Sequence, residues 1–152
     1  MVKKNIILFI ILTLLSSCGY TPIYKNITNN KLYIEVGNLE GDELINSIIF
    51  NNLNRYKNRD SNKKFIIDIR TTSEKIVIAK DASGKTSNYQ VNIITQIEIK
   101  SSLGTKIMIM KDEFKINNNA TAFENLNYER SLKRNIASSF SEKIILDLIN
   151  LE

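Results

Sequence analysis

Residues 89–100 alternate: Tyr89, Val91, Ile93, Ile97 and Ile99 point one way along an extended chain, and Gln90, Asn92, Gln96, Glu98 and Lys100 the other. That period of two predicts a strand with one buried and one wetted face. Similar runs lie on either side, so residues 64–78, 86–101 and 105–117 predict a β-meander. The joints Asp81-Ala-Ser-Gly-Lys85 and Ser101-Ser-Leu-Gly104 each hold a glycine where a hairpin requires positive φ. A shorter alternation, Leu32-Tyr-Ile-Glu-Val36, predicts a first strand, with a loop over residues 37–41 behind it.

Elsewhere the period changes to that of a helix. Asp42 stands as an N-cap ahead of Leu44, Ile45, Ile48, Ile49 and Leu53, which predicts an amphipathic helix to about residue 58. From about Glu124, a second stripe of Leu132, Ile136, Ala137, Phe140, Ile144 and Leu148 predicts a long terminal helix. Arg130, Lys133, Arg134, Glu142 and Lys143 lie mostly off that stripe, Glu129 and Lys133 are spaced to pair, and Tyr128 and Phe140 read as packing residues. The order predicts an α+β domain over residues 31–152, with two helices packed on one face of a small, mostly antiparallel four-stranded sheet. The first strand–helix–strand passage makes a right-handed crossover if those strands are parallel neighbours.

The N-terminus obeys a different logic. Lys3 and Lys4 precede an apolar run from Ile6 to Leu15, which is shorter than the roughly 20 residues a membrane span needs and fits an export signal. Leu15-Ser16-Ser17-Cys18 resembles a lipobox, so residues 1–17 are expected to be removed and Cys18 to be lipidated. Cys18 is the only cysteine, which leaves no intramolecular disulfide as an alternative. Lipoproteins of this type carry a diacylglyceryl group and an amide-linked acyl chain, enough for a lasting anchor. Gly19, in place of Asp, resembles the pattern of lipoproteins sorted to the outer membrane, on its periplasmic side. Residues 18–30, with the single proline Pro22, read as an extended tether that spans up to about 40 Å. Removal of Lys3 and Lys4 also lowers the formal charge, +5 for the whole chain, so its basicity is partly that of the signal.

Candidate chemistry is sparse. The chain has no histidine, one cysteine and no tryptophan, which removes the usual general base, the usual zinc ligands and any Ser-His or Cys-His pair. Asp112 and Glu113 are adjacent on a predicted strand and so point to opposite faces, and the five glycines are dispersed at turns and beside the lipid site. We therefore expect no enzyme activity, no metal and no cofactor, and export argues against a nucleic-acid partner.

Three stretches together resemble one family. They are Ser16-Ser-Cys-Gly-Tyr-Thr-Pro-Ile-Tyr24, the two hairpins between Asp81 and Asn117, and Ala122-Phe-Glu-Asn-Leu-Asn-Tyr-Glu-Arg-Ser-Leu-Lys-Arg-Asn-Ile-Ala137 running into Ile145-Leu-Asp-Leu-Ile149. In this order they are similar to the LPS-assembly lipoproteins of the LptE type, over nearly the whole chain. The resemblance implies two helices on a small sheet and a non-catalytic plug, one copy per barrel, within the LptD-type outer-membrane β-barrel that inserts lipopolysaccharide. Lipopolysaccharide is phosphorylated, so a surface that touches it needs cationic donors. The candidates are Lys80 and Lys85 at one hairpin tip and Lys100 and Lys106 at the other, ahead of Arg70, with ordinary solubilising turn lysines as the plain alternative. Arg130, Lys133 and Arg134 offer a second basic cluster, for anionic lipid, for the barrel, or simply for solvent. Two other functions fit the same features: an auxiliary lipoprotein of an ABC-type lipid transporter, and a structural envelope lipoprotein.

Overall fold

The computed structural model describes residues 32–57, 61–118 and 121–151, so Cys18, the signal segment and the tether lie outside the described residues. Strand β1 (Leu32–Gly41) leads into helix α1 (Glu43–Leu53); β2 (Lys63–Lys80), β3 (Thr86–Ser101) and β4 (Gly104–Asn117) follow, and α2 (Ala122–Asn150) closes the chain. The sheet order is β1-β2-β3-β4. β1 runs parallel to β2, and the other two pairings are antiparallel. The fold is α+β on a mixed sheet.

Strand parity decides what is buried. Phe65, Ile67 and Ile69 of β2 share a face with Val91, Ile93, Ile97 and Ile99 of β3, as the pairs Ile67↔Ile99 and Ile69↔Ile97 require, and all seven are buried. Ile34 from β1 and Met110 and Ile116 from β4 extend this core, and Ile45, Ile49 and Leu53 of α1 and Ala137, Phe140, Ile144 and Leu148 of α2 are buried as well. α1 contacts β1 and β2, α2 contacts β4, and the helices contact each other. Within the core the Thr71 and Thr95 hydroxyls, also register partners, lie 3.0 Å apart and satisfy each other.

Caps and turns follow the residues that demand them. Asp42 accepts from Ile45 N at 3.1 Å, the expected N-cap of α1. Thr121 and Glu124 form a complete capping box on α2, so the helix starts at Ala122, slightly earlier than its apolar stripe indicates. Gly84 and Gly104 have the positive φ expected at the hairpins, and so has Gly41 (φ 94°), which no hairpin pattern signalled. There the chain leaves the sheet so close to β2 that a Cβ would collide with the Thr71 carbonyl oxygen.

Three expectations are corrected. Residues 37–41 are not a loop but the second half of β1, reached through a register shift between Val36 and Leu39. Helix α1 stops at Leu53, short of residue 58, because the chain must turn back to β1: Tyr56 N donates to Leu53 O, and Ile34 N donates to Tyr56 O. Tyr128 is exposed rather than packed, while Leu132 and Ile136 are only half-buried, so α2 is anchored mainly by its C-terminal half.

The meander gives the domain two ends. At the first lie Leu32, Lys63, the exit of α1 at Tyr56 and Lys57, the turn after Ser101, and the end of α2, where Lys106 Nζ reaches Asp147 at 2.7 Å. At the other lie the 81–85 turn and the start of α2. The sixteen residues of β3 separate the ends by about 50 Å.

Candidate functional site: the open sheet face and the hairpin tips

The same parity that buries one face lays out the other. Asp68 pairs with Glu98 and Arg70 with Gln96, and Lys100 lies next to them along β3, all on the face opposite the core. With Asn38 and Glu40 of β1 they line a shallow polar depression of about 350 Å³. The shift in β1 completes it. By lifting Gly37 and Asn38 over β2, it lets Asn38 N donate to Asp68 Oδ1 at 2.7 Å, and it leaves no room for a Cβ at Gly37 beside that carboxylate.

The charges in the depression are already matched. Lys100 Nζ lies 2.6 Å from Asp68 Oδ2 and 3.5 Å from Glu98 Oε1, and Arg70 Nε lies 2.7 Å from Glu40 Oε2. The hydrogen bond from Lys100, helped by Asn38 N–H, holds the Asp68 carboxyl below its ordinary value, and the bond to Asp68 pushes the Lys100 ammonium above its own. Farther along the face, Gln90 Nε2 donates to Glu113 Oε2 at 2.9 Å and to Asn92 Oδ1 at 2.8 Å. Ile66, Ile94, Ile107 and Ile109 stand exposed among these groups. The result is a broad, nearly neutral surface with many donors and acceptors. Among the described residues, no cluster of three His, Cys, Asp or Glu could hold a metal ion.

Similarity to solved structures agrees with this architecture. The chain matches a crystal structure of the rare lipoprotein B from Shewanella oneidensis with TM-score 0.55 at 12% identity, covering 77% of this chain and 98% of that one. It matches a solution structure of an uncharacterized lipoprotein B from Nitrosomonas europaea with TM-score 0.50 at 10% identity, covering 76% and 83%. The fold is that of the rare lipoprotein B structures. No protein-family profile and no curated protein matches the chain.

The four candidate lysines are not brought together. Lys80 and Lys85 sit at the 81–85 turn, exposed and without an ion pair among the described residues, whereas Lys100 and Lys106 lie at the opposite end of β3. These last two also part company: Ile99, not Lys100, is the register partner of Lys106, so Lys100 faces the open side and Lys106 the buried side, against Asp147. The 81–85 turn itself is well ordered by its residues. Asp81 Oδ1 accepts from Ser83 N at 2.8 Å, Ser83 Oγ at 2.7 Å and Lys85 N at 3.0 Å, and the Ser83 hydroxyl leads the interactions that hold its carboxyl below the ordinary value.

The basic helix cluster separates in the same way. Arg130 and Arg134 are exposed, but Lys133 turns inward, 2.8 Å from Asp42 Oδ2 and 3.4 Å from Glu129 Oε1, the latter being the expected i,i+4 pair. Asp112 and Glu113 do face opposite sides of β4, opposite Ile93 and Asn92 respectively. Sequence reasoning missed Asn38, Glu40 and Asp68. For Asp68 a signal existed, a lone acid among the apolar residues 65–69, but its partners come from strands far away in the chain.

Proposed function

We propose that this chain is a non-enzymatic, lipid-anchored outer-membrane protein that assembles with and plugs the LptD-type β-barrel inserting lipopolysaccharide, and so assists lipopolysaccharide transport to the cell surface. The observation that carries the reading is the open sheet face: the charges lining its central depression are paired within the chain, and its amides and hydroxyls remain to meet the hydrated wall of a barrel interior. In this reading the helices form one layer over the buried face, leaving the open face to the barrel. The fold shared with proteins named rare lipoprotein B and lipoprotein B, and the lipobox ending at Cys18, support it.

Affinity isolation of the tagged chain from detergent-solubilised envelopes tests the proposal. A large β-barrel is expected at one copy per chain; recovery of an inner-membrane transporter, or of no barrel, would sink it.

Lys80, Lys85, Lys100 and Lys106 are proposed as the contacts to lipopolysaccharide phosphates, and the geometry ranks them. Because Lys100 and Lys106 are engaged by carboxylates of the chain, Lys80 and Lys85 are the better donors to a ligand. Replacing Lys80 and Lys85 with Gln is expected to weaken lipopolysaccharide binding roughly fivefold to tenfold, the scale of about one tenfold step per 1.4 kcal/mol for a pair of exposed contacts. The corresponding change at Lys100 and Lys106 is expected to have a smaller effect. Equal losses for the two double variants, measured by titration with purified lipopolysaccharide, would remove this ranking.

A further inference from the structure

We infer that the end of the domain from which β1 starts is a membrane-docking surface, with Leu103 entering the interfacial region of an anionic phospholipid leaflet and Arg55, Lys57 and Lys64 meeting its phosphates. The inference rests on the lipid-anchor reading of Cys18, and not on the barrel.

Among the described residues Leu103 is the most exposed of the large apolar side chains, 82% accessible at the tip of the β3–β4 hairpin. Gly104 (φ 123°) and the bond from Leu103 N to Ser101 Oγ at 3.2 Å hold that tip in a tight turn. The wider open face does not account for Leu103, because the residue lies beyond the last rung of the ladder, Ser101↔Gly104. An apolar side chain held there has water as its only other environment, and an interface that accepts it removes that area from solvent.

The cations lie at the same level. Ile66 pairs with Lys100, so continuing that antiparallel register by three residues sets Leu103 level with Lys63, which itself pairs with Leu32. Lys64 is one rung in, its Nζ 5.8 Å from the centre of the Tyr33 ring, and Lys57 is bridged to Tyr33 at the exit of α1, two residues after Arg55. None of Arg55, Lys57 and Lys64 has a carboxylate partner among the described residues, whereas Asp147, the acid near Leu103, is occupied by Lys106. Unmatched cations beside an exposed apolar tip complement a surface of anionic headgroups over acyl chains. The charges of the central depression, by contrast, are paired within the chain.

Chain length makes the leaflet the occupant. Twelve residues lie between Cys18 and Lys31, so the covalent chain reaches at most about 45 Å from the anchor to the start of β1. That limit keeps this end within reach of the bilayer, whereas the 81–85 turn, about 50 Å farther along β3, can stand well clear of it.

The test uses the full mature chain with its native N-terminus, in vesicles of phosphatidylcholine with or without phosphatidylglycerol. Cys18 is the only native cysteine and its sulfur carries the diacylglyceryl group in the lipidated protein, so Leu103→Cys and, as a control, Ser83→Cys each take a single environment-sensitive label. Flotation reports the anchor, and quenching by lipids spin-labelled near the headgroup reports the docking. The expected result is that both proteins float, that the label at 103 loses most of its emission in phosphatidylglycerol vesicles, and that the label at 83 does not. Omitting phosphatidylglycerol, raising the salt concentration, or combining Arg55→Glu, Lys57→Glu and Lys64→Glu should restore the emission. Flotation with the two labels equally quenched or equally bright overturns the docking surface and leaves the anchor standing. Failure to float overturns the anchor, and the inference with it.

Discussion

Phe140→Ala is expected to lower the unfolding free energy by about 3–5 kcal/mol, the range for deleting a fully buried aromatic side chain. Phe140 is the largest of the fully buried side chains among the described residues and lies in the half of α2 that supplies Ala137, Ile144 and Leu148 to the core. The next residue, Ser141, donates back one turn to the Ala137 carbonyl at 2.7 Å and accepts from Asn52 of α1 at 3.2 Å, so the backbone of α2 is held in place across the helix pair. A helix held in this way cannot slide to fill the space that truncation leaves, and the cavity term adds to the lost transfer energy. Urea unfolding followed by circular dichroism measures the change as a shift in midpoint at unchanged slope. A loss under about 1 kcal/mol would mean that Phe140 is not packed as described.

The second large effect concerns charge. Lys133 joins Asp42 and Glu129, and Glu129 is also 2.9 Å from Lys75 of β2, so one network ties the start of α1 and the sheet to α2. Three of its four members are largely covered, with side-chain exposures of 15% for Lys133, 13% for Asp42 and 16% for Glu129, while Lys75 is 41% exposed. Lys133→Met keeps the aliphatic length but leaves two carboxylates with less compensation. The expected loss is about 2–3 kcal/mol, below the 3–5 of a fully buried pair because some water reaches the site and Lys75 remains.

Burial pushes the carboxyls of Asp42 and Glu129 up, but this is outweighed at Asp42 by the Lys133 hydrogen bond and the Ile45 N–H, and at Glu129 by Lys75 and then Lys133. Both therefore titrate below their ordinary values of 3.8 and 4.5. The stability they contribute is present above those ordinary values and is lost as pH falls below them through the lower folded values. The gap between the wild-type chain and Lys133→Met should then be largest near neutral pH and shrink as the pH falls below those ordinary values and the carboxylates take up protons. A gap that does not change with pH would assign the loss to packing of the lysine stem instead.

The strand faces were legible because alternation is local: Val91, Ile93, Ile97 and Ile99 are buried as their spacing requires, and Gln96 and Glu98 face the open side. The Asp42 cap, the hairpin glycines and the C-terminal part of the α2 stripe were legible for the same reason, since each depends on residues within a turn or two of one another. The fate of the charges was not. Lys133 looked like a solvated helix residue, yet its partner Asp42 lies 91 positions earlier, and Asp68 meets Asn38 across 30 positions through a shift in β1 that no local pattern announces. Lys100 and Lys106 looked like neighbours at one tip, and the hairpin register sent them to opposite faces. Periodicity records which side of an element avoids water, and that is written in consecutive residues. Which charge meets which depends on register and on how helices lie against strands, and those are settled only when the whole chain packs.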